Sequence, residues 1–257
     1  MKRLSTGIPS LDEMTHGGLY EGSATLITGA PGTGKTTFGM QFIVAGVEKK
    51  EPGIVVTFEH FPEIIYRDAL SFGWDFKKYE EEGLLKVIFT SPEVFKTELE
   101  KEMGLIDELT AEMGAKRILI DPVTYFQFMT EDRAELRKAY NSLINGVKRA
   151  ELTSILTCEV PKLFGEEKTS SLFYIVDNII GLRYVEIESQ LRRALLVLKM
   201  RGSDHAKDIR EFEITDKGVS IEAKFEGREG ILTGTPKSIT LAGALEEAFG
   251  GKRKEER

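Results

Sequence analysis

Cysteine, histidine and long apolar runs are scarce in this 257-residue chain. Its one cysteine, Cys158, excludes an intramolecular disulfide and suits a reducing interior. The three histidines, His16, His60 and His205, lie too far apart for zinc-ligand spacing. No apolar stretch approaches the roughly 18 residues of a membrane span, and the N-terminus lacks the apolar segment of a secretory signal. Positive charge is also in deficit: 35 Lys and Arg against 42 Asp and Glu leave a net charge of −7, which opposes broad binding to nucleic acid or anionic lipid. Proline is sparse, at 8 residues, and with 41% hydrophobic and 30% charged residues the composition excludes disordered and collagen-like chains. What remains is a packed, cytoplasmic globule with no membrane partner.

Short β-branched or apolar runs alternate with longer amphipathic segments. The runs are 24–28, 53–59, 85–89, 116–121 and 153–158. This alternation predicts an α/β fold with a mainly parallel sheet flanked by helices. Leu99, Met103, Ile106, Leu109 and Met113 share one helical spacing, as do Leu136, Tyr140, Leu143 and Val147, and both stripes read as core. After Val176, strand follows strand at 178–185 and 193–201, and then comes a hairpin of 212–214 and 219–221 turned by Asp216-Lys217-Gly218. These C-terminal antiparallel strands extend the sheet. The domain is expected to occupy residues 1–227, with 228–257 as a C-terminal tail.

One motif carries specific chemistry. Gly29-Ala30-Pro31-Gly32-Thr33-Gly34-Lys35-Thr36 fits G-x-x-x-x-G-K-[ST] and sits between an apolar strand and the helical segment that begins at Thr37. Its glycines let the backbone wrap a phosphate chain, so that N–H groups and the positive end of the helix dipole face the anion. Lys35 is expected to reach the β and γ phosphates, and Thr36 to ligate Mg²⁺. A second anchor for the ion is predicted at Asp121, which ends the strand Ile118-Leu119-Ile120, although a helix-capping aspartate is the alternative. Glu59, at the end of Ile54-Val55-Val56-Thr57-Phe58, is either the general base or a solvated strand-end carboxylate.

In Ala194 to Arg201, strand geometry places Lys199 and Arg201 on one face, with Leu198 and Met200 on the other. Together with His205 they form either a polyphosphate-gripping cluster or a pair of solvated cations where the strand leaves the core.

Several segments together carry a resemblance. Thr6-Gly7-Ile8-Pro9-Ser10-Leu11-Asp12, Glu21-Gly22-Ser23, the phosphate loop, Phe58-Glu59, Ser71-Phe72-Gly73-Trp74-Asp75, Lys199-Met200-Arg201-Gly202-Ser203-Asp204-His205 and the run from Arg210 to Gly218 resemble a single KaiC-type ATPase domain of the RecA superfamily, over about residues 1–240. The resemblance implies a RecA-like P-loop core binding ATP or ADP with Mg²⁺. It implies ATP hydrolysis in a homo-oligomeric ring of six, with a signalling or regulatory role and an unidentified protein partner. It assigns Gly29 to Thr37 to nucleotide binding, Thr36 and Asp121 to the metal, and Glu59 and Lys35 to catalysis. Lys199, Arg201 and His205 would approach the phosphates bound by the next subunit.

Two departures stand out. The family's paired glutamates after the second strand are here Glu59 and His60, which predicts slow hydrolysis, and Phe173-Tyr174 occupies the place of its phosphorylated Ser-Thr pair, so autokinase activity is not expected. The competing reading is a DNA-binding recombination or repair ATPase with a loop at 159–169. There Lys162 and Lys168 are balanced by Glu159, Glu166 and Glu167, which gives little grip on a polyanion.

Overall fold

Five apolar runs become strands because a strand covered on both faces needs no polar side, whereas one at an edge does. The structure, a computed structural model, describes residues 2–160 and 170–225 and the strand segments 228–229 and 237–238. In chain order its first half holds β1 (Arg3–Leu4), α1 (Pro9–Met14), β2 (Leu19–Tyr20), β3 (Ala24–Gly29), α2 (Lys35–Val47), β4 (Gly53–Thr57), α3 (Pro62–Leu70), α4 (Phe76–Glu81), β5 (Leu85–Phe89), α5 (Pro92–Glu100) and α6 (Leu105–Met113). The second half holds β6 (Arg117–Asp121), a 3₁₀ turn at Val123–Phe128, α7 (Arg133–Arg149), β7 (Thr153–Glu159), α8 (Ser170–Ile175), β8 (Asn178–Ile187), β9 (Gln190–Met200), β10 (Arg210–Thr215) and β11 (Gly218–Lys224). Two short strands, β12 (Arg228–Glu229) and β13 (Lys237–Ser238), pair antiparallel within the segment read as a tail.

The main sheet runs β11-β10-β9-β8-β3-β7-β6-β4-β5. From β8 to β5 every pairing is parallel, and from β8 to β11 every pairing is antiparallel. This is the expected α/β architecture with its antiparallel extension. Residues of β3, β4 and β6 are buried throughout, while β5, at the edge, exposes Lys86 and Phe89. Successive strand residues enter opposite cores. Ile27, Val55 and Leu119 pack with Phe38 and Phe42 of α2, whereas Leu26, Val56 and Ile120 pack with Leu136, Tyr140, Leu143 and Val147 of α7.

Two local expectations differ from the structure. The stripe from Leu99 to Met113 is split into α5 and α6, leaving Met103 exposed in the break. Gly104 explains the break: a Cβ there would lie 1.9 Å from the Glu98 carbonyl oxygen, so the close turn needs glycine. On β9, Val197 and Lys199 pair with the consecutive residues Ile180 and Ile179, which leaves Leu198 as an extra, bulged residue. Leu198 therefore packs with the α7 core, opposite Met200 rather than beside it.

The N-terminal motif has a structural explanation. The Asp12 carboxylate accepts from the Thr6 N–H, the Thr6 hydroxyl and the Ser5 hydroxyl, closing the 5–12 segment on itself. Gln41 of α2 then donates to the Gly7 carbonyl and accepts from the Val219 N–H. One side chain thus ties both ends of the domain to the helix that follows the phosphate loop. Arg117, fully buried, bonds Glu51 at 2.8 Å, the Ser5 carbonyl at 2.7 Å and the Phe42 carbonyl at 3.1 Å.

Candidate functional site

The parallel strands end together at one edge of the sheet, and the loop from Gly29 to Thr36 sits there, between β3 and α2. Gly32 and Gly34 take φ of +77° and +97°, a region that residues with a side chain rarely adopt. The loop's own carbonyls hold the lysine: Lys35 Nζ donates to the oxygens of Gly29 at 3.1 Å and Ala30 at 3.0 Å. Glu159, at the end of β7, lies 3.8 Å from the same ammonium. Burial pushes the Lys35 pKa down, and Glu159 and Asp121 oppose that shift. A carboxylate opposite Lys35 was not anticipated from sequence. The signal that could have found it is register, since Glu159 pairs with Gly29, the first residue of the loop.

Asp121 ends β6 as expected and meets Thr36 across the strands. The Thr36 hydroxyl donates to its carboxylate at 2.9 Å, and the Thr157 hydroxyl donates to it as well. Burial raises the Asp121 pKa, while the bonds from Thr157 and Thr36 and the charge of Lys35 pull it back. A hydroxyl and a carboxylate side by side are hard oxygen donors, which fits a magnesium ion that takes its remaining ligands from phosphate and water. Among the described residues no group of three or more His, Cys, Asp or Glu side chains forms a self-sufficient metal cage.

The strand expected to run to Glu59 stops at Thr57, whose hydroxyl accepts from the N–H groups of Glu59 and His60 and bends the chain there. Glu59 is exposed just beyond the sheet edge, close enough for its charge to raise the Asp121 pKa slightly. His60 lines a pocket of about 280 Å³ together with Thr36, Thr37, Met40, Asp68 and Phe72. The pocket opens beside the start of α2. Most of its lining residues are polar, with Thr36, Thr37, His60, Asp68 and Ser71 facing Met40, Ile65 and Phe72.

The cations of β9 are elsewhere. Met200 pairs with Asn178, at the start of β8, so Lys199 and Arg201 lie at the edge of the sheet opposite the loop. Lys199 Nζ donates to the carbonyls of Phe173 at 2.9 Å and Val176 at 2.6 Å, and Arg201 donates to the Tyr174 carbonyl. Both cations thus share the α8 side of the sheet, as the strand reading expected. His205 does not join them. Its ring lies 3.3 Å from Lys207 Nζ, and burial followed by that ammonium lowers its pKa. The segment after Arg201 is held by the N-terminus, with Arg3 donating to the Ser203 hydroxyl and the Tyr20 hydroxyl to the Gly202 carbonyl. From residue 161 onward, the loop weighed as a DNA contact lies outside the described residues. No helix among those residues is long and apolar enough to cross a membrane.

Comparison with known proteins points in one direction. A family described as "ATPase: KaiC" matches residues 4–226. UPF0273 protein MK0039 of Methanopyrus kandleri is 38% identical over 235 residues, which cover 86% of this chain and 92% of that protein. Circadian clock protein KaiC3 of Synechocystis is 37% identical over 240 residues, covering 91% of this chain and 46% of that protein. The chain therefore spans about half the length of this clock relative. The crystal structure of KaiC-like protein PH0186 from the hyperthermophilic archaeon Pyrococcus horikoshii matches with a TM-score of 0.77 and 34% identity, over 86% of this chain and 99% of that one.

Proposed function

Because the chain belongs to the KaiC family of ATPases, we propose that it binds Mg·ATP at residues 29–37 and hydrolyses it slowly, as a ring in which each nucleotide lies between two copies. The observation that carries this reading is the separation of the two halves of the site. The phosphate loop and Arg201 occupy opposite edges of one sheet, an arrangement that lets one copy's cations serve the next copy's loop when copies repeat head to tail.

Within one half-site the N–H groups of the loop and Lys35 would hold the β and γ phosphates. Thr36 and Asp121 would hold Mg²⁺, which offsets the charge developing between those phosphates. Glu59, solvated and beyond the strand end, would orient the attacking water. A single carboxylate followed by His60 would make turnover slow. Lys199 and Arg201 of the adjoining copy would complete the site, and His205 would join them on leaving Lys207. Lys199 must first release the carbonyls of Phe173 and Val176, whereas Arg201, with a side chain 53% exposed, is the more available cation.

Such a ring couples nucleotide state to assembly, which suits a cytoplasmic signalling or regulatory role exercised through a protein partner. The net charge of −7 weighs against DNA as that partner. Native mass determination with ATP, ADP and no nucleotide, alongside Mg²⁺-dependent phosphate release, tests the reading. The expected result is a nucleotide-dependent ring near six copies whose turnover requires Mg²⁺ and is lost in Lys35→Ala. A monomer under all three conditions refutes the shared site.

A further inference from the structure

Strand β8 runs beside β3 and continues past the phosphate loop, carrying Tyr184 to the loop's outer side. The Tyr184 hydroxyl donates to the Gly32 carbonyl at 2.5 Å. A Cβ built on Gly32 would lie 3.0 Å from the same hydroxyl, so the contact is close as well as polar. The phenol ring is itself held across the strand pair: Arg193, the β9 partner of Tyr184, places its guanidinium 5.5 Å from the ring centroid.

The consequence follows from peptide geometry. In a trans peptide the C=O and N–H point in opposite directions. Drawing the Gly32 oxygen out toward Tyr184 therefore turns the Thr33 N–H inward. It is found there, 3.4 Å from the Ala30 carbonyl oxygen, a bond long enough to be given up to a better acceptor. The same oxygen accepts from Lys35 Nζ at 3.0 Å and the Thr33 hydroxyl at 2.8 Å. Three donors thus converge on one weak acceptor at the mouth of the loop. That is the arrangement a phosphate oxygen would satisfy more fully.

We propose that Tyr184 is a positioning residue of the phosphate loop: through the Gly32 carbonyl it keeps the Thr33 N–H aimed at the phosphate chain of a bound nucleotide. The proposal rests on the nucleotide-binding reading of this loop and adds a part that the loop motif does not contain. It concerns affinity for the phosphates rather than the chemical step, since Tyr184 meets neither Glu59 nor Asp121.

The test is Tyr184→Phe, which keeps the ring and removes the donor. Calorimetric Kd values for Mg·ADP and Mg·ATP should both rise about two- to tenfold, the effect of one neutral hydrogen bond. The turnover rate at saturating ATP should stay unchanged, and the thermal midpoint without nucleotide should fall by no more than the few degrees that one hydrogen bond is worth. Amide exchange supplies a second readout at a temperature where both proteins are folded: residues 30–36 should be less protected by ADP in the variant than in the wild type. Unchanged Kd values together with unchanged protection overturn the proposal. A lower thermal midpoint with unchanged nucleotide affinity also overturns it, because it makes the contact merely structural. If the wild type binds no nucleotide, the underlying reading of the loop fails instead, and the two failures are distinguished by the wild-type measurement alone.

Discussion

Replacing Arg201 with alanine separates a shared site from a private one. Within one chain, Arg201 and the loop are divided by the length of β3, whose five steps from Ala24 to Gly29 cover roughly 17 Å. The side chain turns away toward Tyr174. Among the described residues its one ion pair, to Asp177, is long at 3.8 Å and the arginine side chain is 53% exposed, so its loss costs the fold under about 1 kcal/mol. A donated arginine contributes about 10³-fold or more to phosphoryl transfer, so Arg201→Ala should be folded yet nearly inactive. Lys35→Ala should be inactive for a different reason, failing to grip phosphate.

Mixing the two variants as equal subunits gives a defined outcome. A site is intact only where an Arg201→Ala copy, with its good loop, meets a Lys35→Ala copy, with its good arginine. Random assembly makes about a quarter of the sites intact under head-to-tail symmetry, whatever the ring size. Phosphate release should therefore recover to about a quarter of wild type per site, starting from two nearly silent parents. Native mass spectra must show mixed rings. If mixed rings form and turnover stays at the parental level, the shared site is wrong.

Three further outcomes are expected. Glu59→Gln should leave ATP affinity and stability intact while turnover falls about 10²- to 10⁴-fold, and an unaltered rate in a phosphate-release assay would move the base elsewhere. Burial opposes ionisation of Glu80, but bonds from the Tyr66 hydroxyl, the Val87 N–H and Lys86 prevail and hold its pKa below the ordinary 4.5. The native state thus binds fewer protons than the unfolded chain, and the stabilisation is present above pH 4.5 and lost as pH falls through the lower folded value. Glu80→Gln should cost about 1–3 kcal/mol at pH 7 in denaturant unfolding, and the gap from wild type should close below that window. Arg117→Ala strips Glu51 of its buried partner and frees the carbonyls of Ser5 and Phe42, so it should cost about 3–5 kcal/mol; a loss below 1 would mean that the network is dispensable.

Local chemistry made much of the molecule legible in one dimension. The phosphate loop is contiguous, so its glycines, Lys35 and Thr36 announce themselves by spacing. The buried parallel strands do so as well, because covering both faces demands uninterrupted apolar runs. Asp121 was readable as the polar end of such a run. Less legible were features set by contacts between distant segments. The break at Gly104 depends on the Glu98 carbonyl, and the bulge at Leu198 depends on its register with Ile179 and Ile180.

By itself, then, the sequence determined the class of fold and the loop that takes phosphate, since both are written in neighbouring residues and short periods. Only the tertiary structure decided that Glu159 and Tyr184 flank that loop, and that Lys199 and Arg201 lie at the far edge with His205 turned aside. The physical reason is that strand order and direction bring together residues far apart along the chain. An antiparallel return such as β9 carries a cation away from its own loop by a distance that spacing along the chain does not reveal.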